Sequence, residues 1–271
     1  MKKLQIAVLA MALVVGSTTW VWAGNLQING STTVLPIAQK AAESYMKEHP
    51  DVSISVSGGG SGNGIKAIID GTTDIADSSR FIKDEEVKQA VEKGSYPVPF
   101  AVAYDCIVPV VHSSNPVKNL TLDQLKGIYT GQIDNWKAVG GPDLKIVVIS
   151  RDTSSGTYEV WEEKVMKRER VSPAALLQAS NGAVAQVVAS NKFAIGYLGH
   201  GYVNDKVKGV TVNNIAGNVE TTLNGTYPIS RALFMFTRGW PKGDALNFIN
   251  FVLHPQKGQK IVKEEGFVPM Y

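Results

Sequence analysis

Asn29–Thr33 reads NGSTT and runs straight into VLPIAQKAAESYM. Ser31, Thr32 and Thr33 therefore crowd the mouth of a helix that Pro36 opens, where one capping residue suffices. The pattern recurs at SGGGSGNGI (Ser57–Ile65) and at SRDTSSGTYEVW (Ser150–Trp161), and the latter adds Arg151. A fourth stretch, DIADSSR, sets Ser78, Ser79 and Arg80 just past a strand end. A helix N-terminus carries N–H groups without intrahelical partners and a partial positive charge, so it holds anions. Glycine lets the backbone approach the guest, hydroxyls add neutral donors, and a planar guanidinium suits a tetrahedral oxyanion. Each stretch also fits a plainer role: a cap, a flexible turn, or an arginine paired at the surface. No G-K-[ST] follows the glycines, and GGGSGNG matches neither G-x-G-x-x-G nor G-x-S-x-G, so the nucleotide-loop and esterase-elbow readings fail.

Strands alternating with helices must position these stretches. Val34–Glu48 is an amphipathic helix with Ile37, Ala38, Ala41, Ala42, Tyr45 and Met46 at helical spacing, and VSISV alternates as a strand. GNGIKAIIDG is a short helix, TDIADSS a short strand, and Asp84–Lys93 a charged surface helix. Tyr96–His112 is a long extended run with two strand-like halves, Val98–Ala103 and Cys106–Val111. Helices are expected at Thr121–Tyr129, Gly156–Arg168, Ala174–Ala179 and Ala183–Asn191, with strands at LKIVVIS and FAIGYLG. Lys206–Gly225 reads as strand and turn, YPISRALFMFTR as a second long extended run, and Gly243–Leu253 and Pro255–Glu265 as closing helices. Alternation of this kind predicts an α/β fold with largely parallel sheets. The two long runs are candidate strands crossing between lobes. Trp136, Trp161 and Trp240 are expected to pack cores.

The chain has 271 residues, 44% hydrophobic and 19% charged, with a formal charge of +3. That balance shows no nucleic-acid footprint and no polybasic membrane patch. Met1-Lys2-Lys3, the apolar run Leu4–Gly16 and the small residues of Val21-Trp22-Ala23 have the anatomy of an export leader cleaved after Ala23. Its loss removes Lys2 and Lys3 and lowers the formal charge by two. Cys106, the single cysteine, sits in apolar AYDCIVPVV and reads as a buried inert thiol without a disulfide. His49, His112, His200 and His254 are scattered without metal-ligand spacing, and no base lies near Ser155 in sequence. No cofactor is expected, and an enzyme is disfavoured against a binding protein.

The ordered motifs INGSTTVLPI, SGGGSGNGI, DIADSSR, IYTGQIDNWKAVGGPD, SRDTSSGT, AIGYLG, YPISR and GFVPM resemble, over nearly the whole chain beyond the leader, the phosphate-binding proteins of bacterial phosphate ABC transporters. The resemblance implies a periplasmic, two-lobed binding-protein fold of the second type, each lobe a largely parallel sheet flanked by helices, joined by two crossover strands. It divides the chain into a signal peptide (residues 1–23), a first lobe (24–103), a second lobe (104–228) and a return to the first (229–271). It implies capture of inorganic phosphate by a monomer and delivery to a membrane permease with its ATPase, with no nucleic-acid partner. The family's binding loops fall on Ser31, Thr32 and Thr33, on Ser61, and on Arg151, Ser155, Gly156 and Thr157. Larger members place an Asp, which accepts the phosphate proton, where this chain has Ser79; Asp77 lies two residues earlier and is expected to point elsewhere. A hydroxyl can accept as well as donate, so weaker discrimination against sulfate is expected than with a carboxylate. Arg151 is expected to supply the site's only formal charge. Other tetrahedral oxyanions (sulfate, molybdate, tungstate) are the nearer alternative, and a secreted serine hydrolase the more distant one.

Overall fold

The computed structural model describes residues 24–271; the leader assigned to residues 1–23 lies outside the described residues. The first lobe begins β1 (Gly24–Gly30), α1 (Leu35–Glu48), β2 (Val52–Gly58), α2 (Ser61–Asp70), β3 (Ile75–Ser78) and α3 (Asp84–Glu92). β4 (Pro97–His112) then leaves it. The second lobe holds β5 (Asn119–Leu120), α4 (Leu122–Thr130), β6 (Val147–Arg151), α5 (Gly156–Lys164), β7 (Leu176–Gln178), α6 (Asn181–Ser190), β8 (Ala194–Gly199), β9 (Val207–Gly209), β10 (Thr211–Val212) and α7 (Val219–Leu223). β11 (Ser230–Arg238) returns, followed by α8 (Gly243–Leu253) and α9 (Gly258–Glu264).

The strands run β2-β1-β3-β11-β4-β8-β6-β7, with β9 also on β4. β1, β2 and β3 pair in parallel at one end, and β6, β7 and β8 do so at the other. The two central strands are antiparallel to their neighbours. β4 serves both lobes: Pro97–Cys106 pairs with β11, and Ile107–Val111 pairs with β8. The lobes therefore meet at Cys106 and Ile107, opposite the start of β11 at Ser230. The two extended runs are these crossing strands. Val98–Ala103 and Cys106–Val111 are halves of one continuous strand, because Tyr104 and Asp105 between them stay extended and paired with Ala232 and Arg231 of β11.

Alternation along β3 decides how the first lobe packs. Ile75 faces the core of α1, α8 and α9 with Ile28, Ile37, Leu233 and Phe248, while Ala76 faces Ile65, Ile68 and Phe236. The second lobe has its own core, running from Cys106 to Ile229. Within it Trp161 stacks on Tyr197, with ring centroids 4.2 Å apart and planes within 5°. Cys106 is fully buried, and burial pushes its thiol up to about 12, as expected of an inert cysteine. Thr121 caps α4, accepting from the Gln124 N–H at 3.0 Å while Gln124 Oε1 accepts from the Thr121 N–H.

Four expectations need correction. Ala174–Ala179 is not a helix but carries β7, because an extended partner completes the edge beside β6. The helix expected to reach Arg168 ends at Lys164, where the chain turns left-handed at Lys167 (φ 52°) and Arg168 (φ 67°). The strand-and-turn segment Lys206–Gly225 also contains α7, capped by Asn218. Trp136 and Trp161 are core residues, but Trp240 is 69% exposed, its ring centroid 5.9 Å from that of Phe100.

Asp77 follows Ile75 on the same face of β3. It is fully buried, and neither carboxyl oxygen has a hydrogen-bond partner among the described residues. Burial pushes its pKa well above the usual carboxylate range, so the folded chain keeps the proton where the unfolded chain has already lost it. In the unfolded chain it ionises near pH 4. Below that point Asp77 carries no penalty; as pH rises toward the raised folded pKa, the unfolded chain loses its proton first and stability falls. Asp77→Asn removes this slope. Urea unfolding of both proteins at intervals from pH 4 to 8 should show the variant gaining on the parent as pH rises; parallel profiles would contradict a neutral Asp77.

Candidate functional site

Three helix N-termini with hydroxyls beside them converge between the lobes, and a fourth, that of α6, joins them. On the first lobe, the loop after β1 is pinned where the Ser31 N–H donates to the Asp77 carbonyl at 2.8 Å. Ser31 Oγ accepts from the N–H groups of Thr33 (3.1 Å) and Val34 (3.4 Å), so Ser31 is the capping residue and Thr32 and Thr33 are free for other work. Ser61 opens α2, and its Oγ accepts from the Ser79 N–H at 3.0 Å and lies 3.2 Å from Ser79 Oγ. On the second lobe, Ser155 caps α5 by accepting from the Tyr158 N–H at 3.2 Å, which places Gly156 and Thr157 in its first turn. Arg151 ends β6, its N–H donating to Tyr197 Oη at 3.2 Å, so the stacked Trp161–Tyr197 pair seats it.

Every residue expected at the site is buried and near the others. Ser31, Thr32, Thr33, Ser61, Ser79, Arg151, Ser155 and Thr157 are each no more than 6% exposed. Thr33 Oγ1 and Thr157 Oγ1 stand 3.0 Å apart across the lobes, and Arg151 Nη2 donates to Thr32 Oγ1 at 3.3 Å. The approach is so tight at Gly156 that a Cβ there would fall 2.4 Å from Ser61 Oγ and 2.7 Å from Ser79 Oγ. At Gly60 (φ +100°) a Cβ would meet the Ser154 carbonyl oxygen at 2.7 Å. Glycine at both positions is what lets the lobes meet.

The sequence reading missed three participants. Asn181, the first residue of α6, is fully buried; its Nδ2 donates to Thr32 Oγ1 and Thr33 Oγ1, both at 3.0 Å, while its Oδ1 accepts from the Gly199 N–H. Tyr202 donates to the Thr32 carbonyl. Arg231, on β11, donates through Nη1 to Thr157 Oγ1 (3.1 Å) and through Nη2 to Thr33 Oγ1 (3.2 Å). Arg151 is therefore not the only formal charge at the site. Arg231 pairs with Asp105 of β4, Nη2 to Oδ2 at 2.8 Å and Nε to Oδ2 at 3.0 Å, and Asp105 Oδ1 accepts from the His200 N–H. The S-R of YPISR was the available signal, but only the pairing of Arg231 with Asp105 across the two crossing strands shows where it lies.

A count of donors and acceptors fixes the chemistry. Thr32 Oγ1 already accepts from Arg151 and Asn181, which fills its two lone pairs and leaves its proton to give. Thr33 Oγ1 accepts from Asn181 and Arg231 and donates to Thr157, so Thr157 keeps its own proton. The Ser61–Ser79 pair leaves one more. Arg151 Nη1 is buried with no hydrogen-bond partner among the described residues, and burial pulls the guanidinium pKa below its ordinary value without discharging it. The Asp105 carboxylate is occupied by Arg231 and the His200 amide. The constellation therefore has donors to spare from both lobes and no unengaged carboxylate, which suits an anion.

Comparison with known proteins agrees. A PBP superfamily domain matches residues 21–256. Phosphate-binding protein PstS of Staphylococcus epidermidis is 37% identical over 259 residues, covering 90% of this chain and 78% of the relative. PstS of Bacillus subtilis is 32% identical over 249 residues, covering 91% and 81%. A solved structure from Clostridium perfringens with bound phosphate, described as a phosphate ABC transporter substrate-binding protein, superposes with TM-score 0.86 at 37% identity, covering 92% of this chain and all of that one. An ABC-type phosphate transport receptor from Vibrio cholerae gives TM-score 0.71 at 33% identity, covering 90% and 99%. The chain belongs to the two-lobed binding proteins of the PBP superfamily, and within them to the PstS family of phosphate-binding proteins.

Proposed function

We propose that this chain captures inorganic phosphate between its lobes and delivers it to the permease and ATPase of a phosphate ABC transporter. One observation carries the reading: the buried Arg151 Nη1 and the spare protons of Thr32, Thr157 and the Ser61–Ser79 pair belong to both lobes at once. Neither lobe alone satisfies all the oxygens of a tetrahedral anion, so the ligand favours the closed form by differential affinity. The binding set is Ser31, Thr32, Thr33, Ser61, Ser79, Arg151, Ser155, Gly156 and Thr157, joined by Asn181 and Arg231. The lobes divide close to residues 24–103, 104–228 and 229–271; the hydrophobic cores part between Ala103 and Cys106 and between Ile229 and Leu233. The protein works as a periplasmic monomer after removal of its leader at Ala23. No helix among the described residues is long and apolar enough to cross a membrane.

Charge-assisted hydrogen bonds contribute ~1.5–3 kcal/mol each, so a few of them exceed the ~8 kcal/mol of a micromolar complex before dehydration and closure are charged against them. Phosphate at neutral pH keeps a proton and sulfate does not. With Ser79 as the acceptor, sulfate leaves no carboxylate stranded, so excess sulfate is expected to displace phosphate measurably. Calorimetry of the mature chain with phosphate, sulfate and molybdate checks both points. Heat from molybdate or sulfate but none from phosphate overturns the ligand, and complete indifference to excess sulfate overturns the role given to Ser79. Turnover of a chromogenic phosphate ester by the same preparation would contradict a pure binding protein.

A further inference from the structure

Beside the anion site the lobes are joined by a second, purely ionic contact. Arg80, directly after Ser79, grips Glu86 of α3 through both arms of its guanidinium, Nη1 to Oε2 at 2.8 Å and Nη2 to Oε1 at 2.6 Å. Its Nε faces Glu159 on α5 of the other lobe, and Lys83 Nζ stands 3.2 Å from Glu159 Oε1. The side chains of Arg80 and Glu159 are 7% and 15% exposed. The cluster borders a cavity of about 740 Å³ that Ser230, Arg231 and Phe234 of β11 also line, so the ions bridge a region where the lobes are otherwise not packed. Glu159 is two residues from Thr157, in the first turns of the same helix, and Arg80 is one residue from Ser79. Any lobe movement that separates the hydroxyls therefore separates this pair.

We propose, resting on the phosphate reading above, that Arg80 and Glu159 form a clasp that sets how long the closed lobes hold their ligand without touching it. The asymmetry of the cluster makes the case. Arg80, Lys83 and Glu86 all belong to the first lobe, so when the lobes part Arg80 keeps Glu86. Glu159 loses both of its cations. In the closed form burial pushes the Glu159 carboxyl pKa up while Arg80 and Lys83 hold it down, so its charge there rests on those two cations, and a group whose partners differ between the two forms shifts their populations. A contact made only when the lobes are closed acts on release more than on encounter. Glu159 and Arg80 are positioning residues here: they act through lobe closure.

Glu159→Gln keeps the shape and removes the charge. Stopped-flow release of phosphate from the full mature chain should be faster by roughly tenfold, with the association rate within about twofold of the parent. The thermal midpoint separates this role from an ordinary structural one: the variant should match the parent without phosphate and fall behind it only at saturating phosphate. Lys83→Gln, at a 51% exposed side chain, should move release in the same direction by a smaller factor and serves if Glu159→Gln folds poorly. An unchanged release rate in folded variants, or an equal loss of midpoint with and without phosphate, overturns the clasp. A parent protein that gives no phosphate signal overturns the ligand reading instead, and is seen before any variant is compared.

Discussion

Arg151→Met is expected to weaken phosphate binding by two to four powers of ten while leaving the ligand-free fold nearly as stable as before. The magnitude comes from two charge-assisted hydrogen bonds at about 1.5–3 kcal/mol each, with about 1.4 kcal/mol per decade of affinity. The stability half of the expectation is less obvious and more informative. Arg151 is 1% exposed and has no carboxylate partner within ion-pair distance among the described residues, and burial depresses its pKa. The fold keeps a cation there at a cost. Methionine relieves that cost but strips donors from the carbonyls of Gln178 (2.9 Å) and Ala179 (3.0 Å), and the two effects oppose each other. The ligand-free midpoint should stay within about 4 °C, while the rise that phosphate gives the parent should vanish. Calorimetry and thermal unfolding in phosphate-free buffer read both. Full affinity in a folded Arg151→Met protein would remove the basis of the site. Arg151→Lys should recover only part of the loss, since an ammonium keeps the charge but not the fork.

The residues legible in the sequence share one property: their chemistry is local. A hydroxyl beside a helix start can only cap, donate or face solvent, and glycine next to it says that something approaches closely. Ser31, Ser61, Ser155 and Gly156 announce themselves within a few residues of chain. Asn181 does not, because an asparagine one residue into a helix after a serine cap is unremarkable until α6 is seen to aim it at Thr32 and Thr33 from 149 and 148 residues away. Arg231 is hidden for the same reason, its meaning depending on the register of β11 against β4. Asp77 was expected to stand aside from the ligand, but its isolation is visible only once α1 covers its face of β3 and β1 and β11 flank the strand. The failure at Ala174–Ala179 is of the opposite kind. AALLQA has helical propensity, and the unpaired edge of β6, which no local pattern reports, overrides it.

Arg231 belongs both to the crossing strands, through Asp105, and to the proposed binding set, and a paired substitution can separate the two roles. Asp105 is fully buried, and its only cationic partner among the described residues is Arg231. Arg231→Met alone leaves that carboxylate uncompensated where the two crossing strands meet, which should cost about 3–5 kcal/mol of stability. Adding Asp105→Asn removes the stranded charge. The Asn can still accept from the His200 amide, so most of the lost stability should return, and the double variant should approach the parent in urea unfolding. Phosphate binding should not return with it. Arg231 reaches Thr33 of one lobe and Thr157 of the other, so without it the two hydroxyls lose the group that orients them, and the anion loses a neighbouring cation. Affinity at least tenfold below the parent is expected in the refolded double variant, corresponding to one charged hydrogen bond of about 1.5 kcal/mol or more. A double variant with restored stability and parental affinity would confine Arg231 to the crossing strands. If both properties fall together and neither is rescued, the charge balance assigned to Asp105 is wrong.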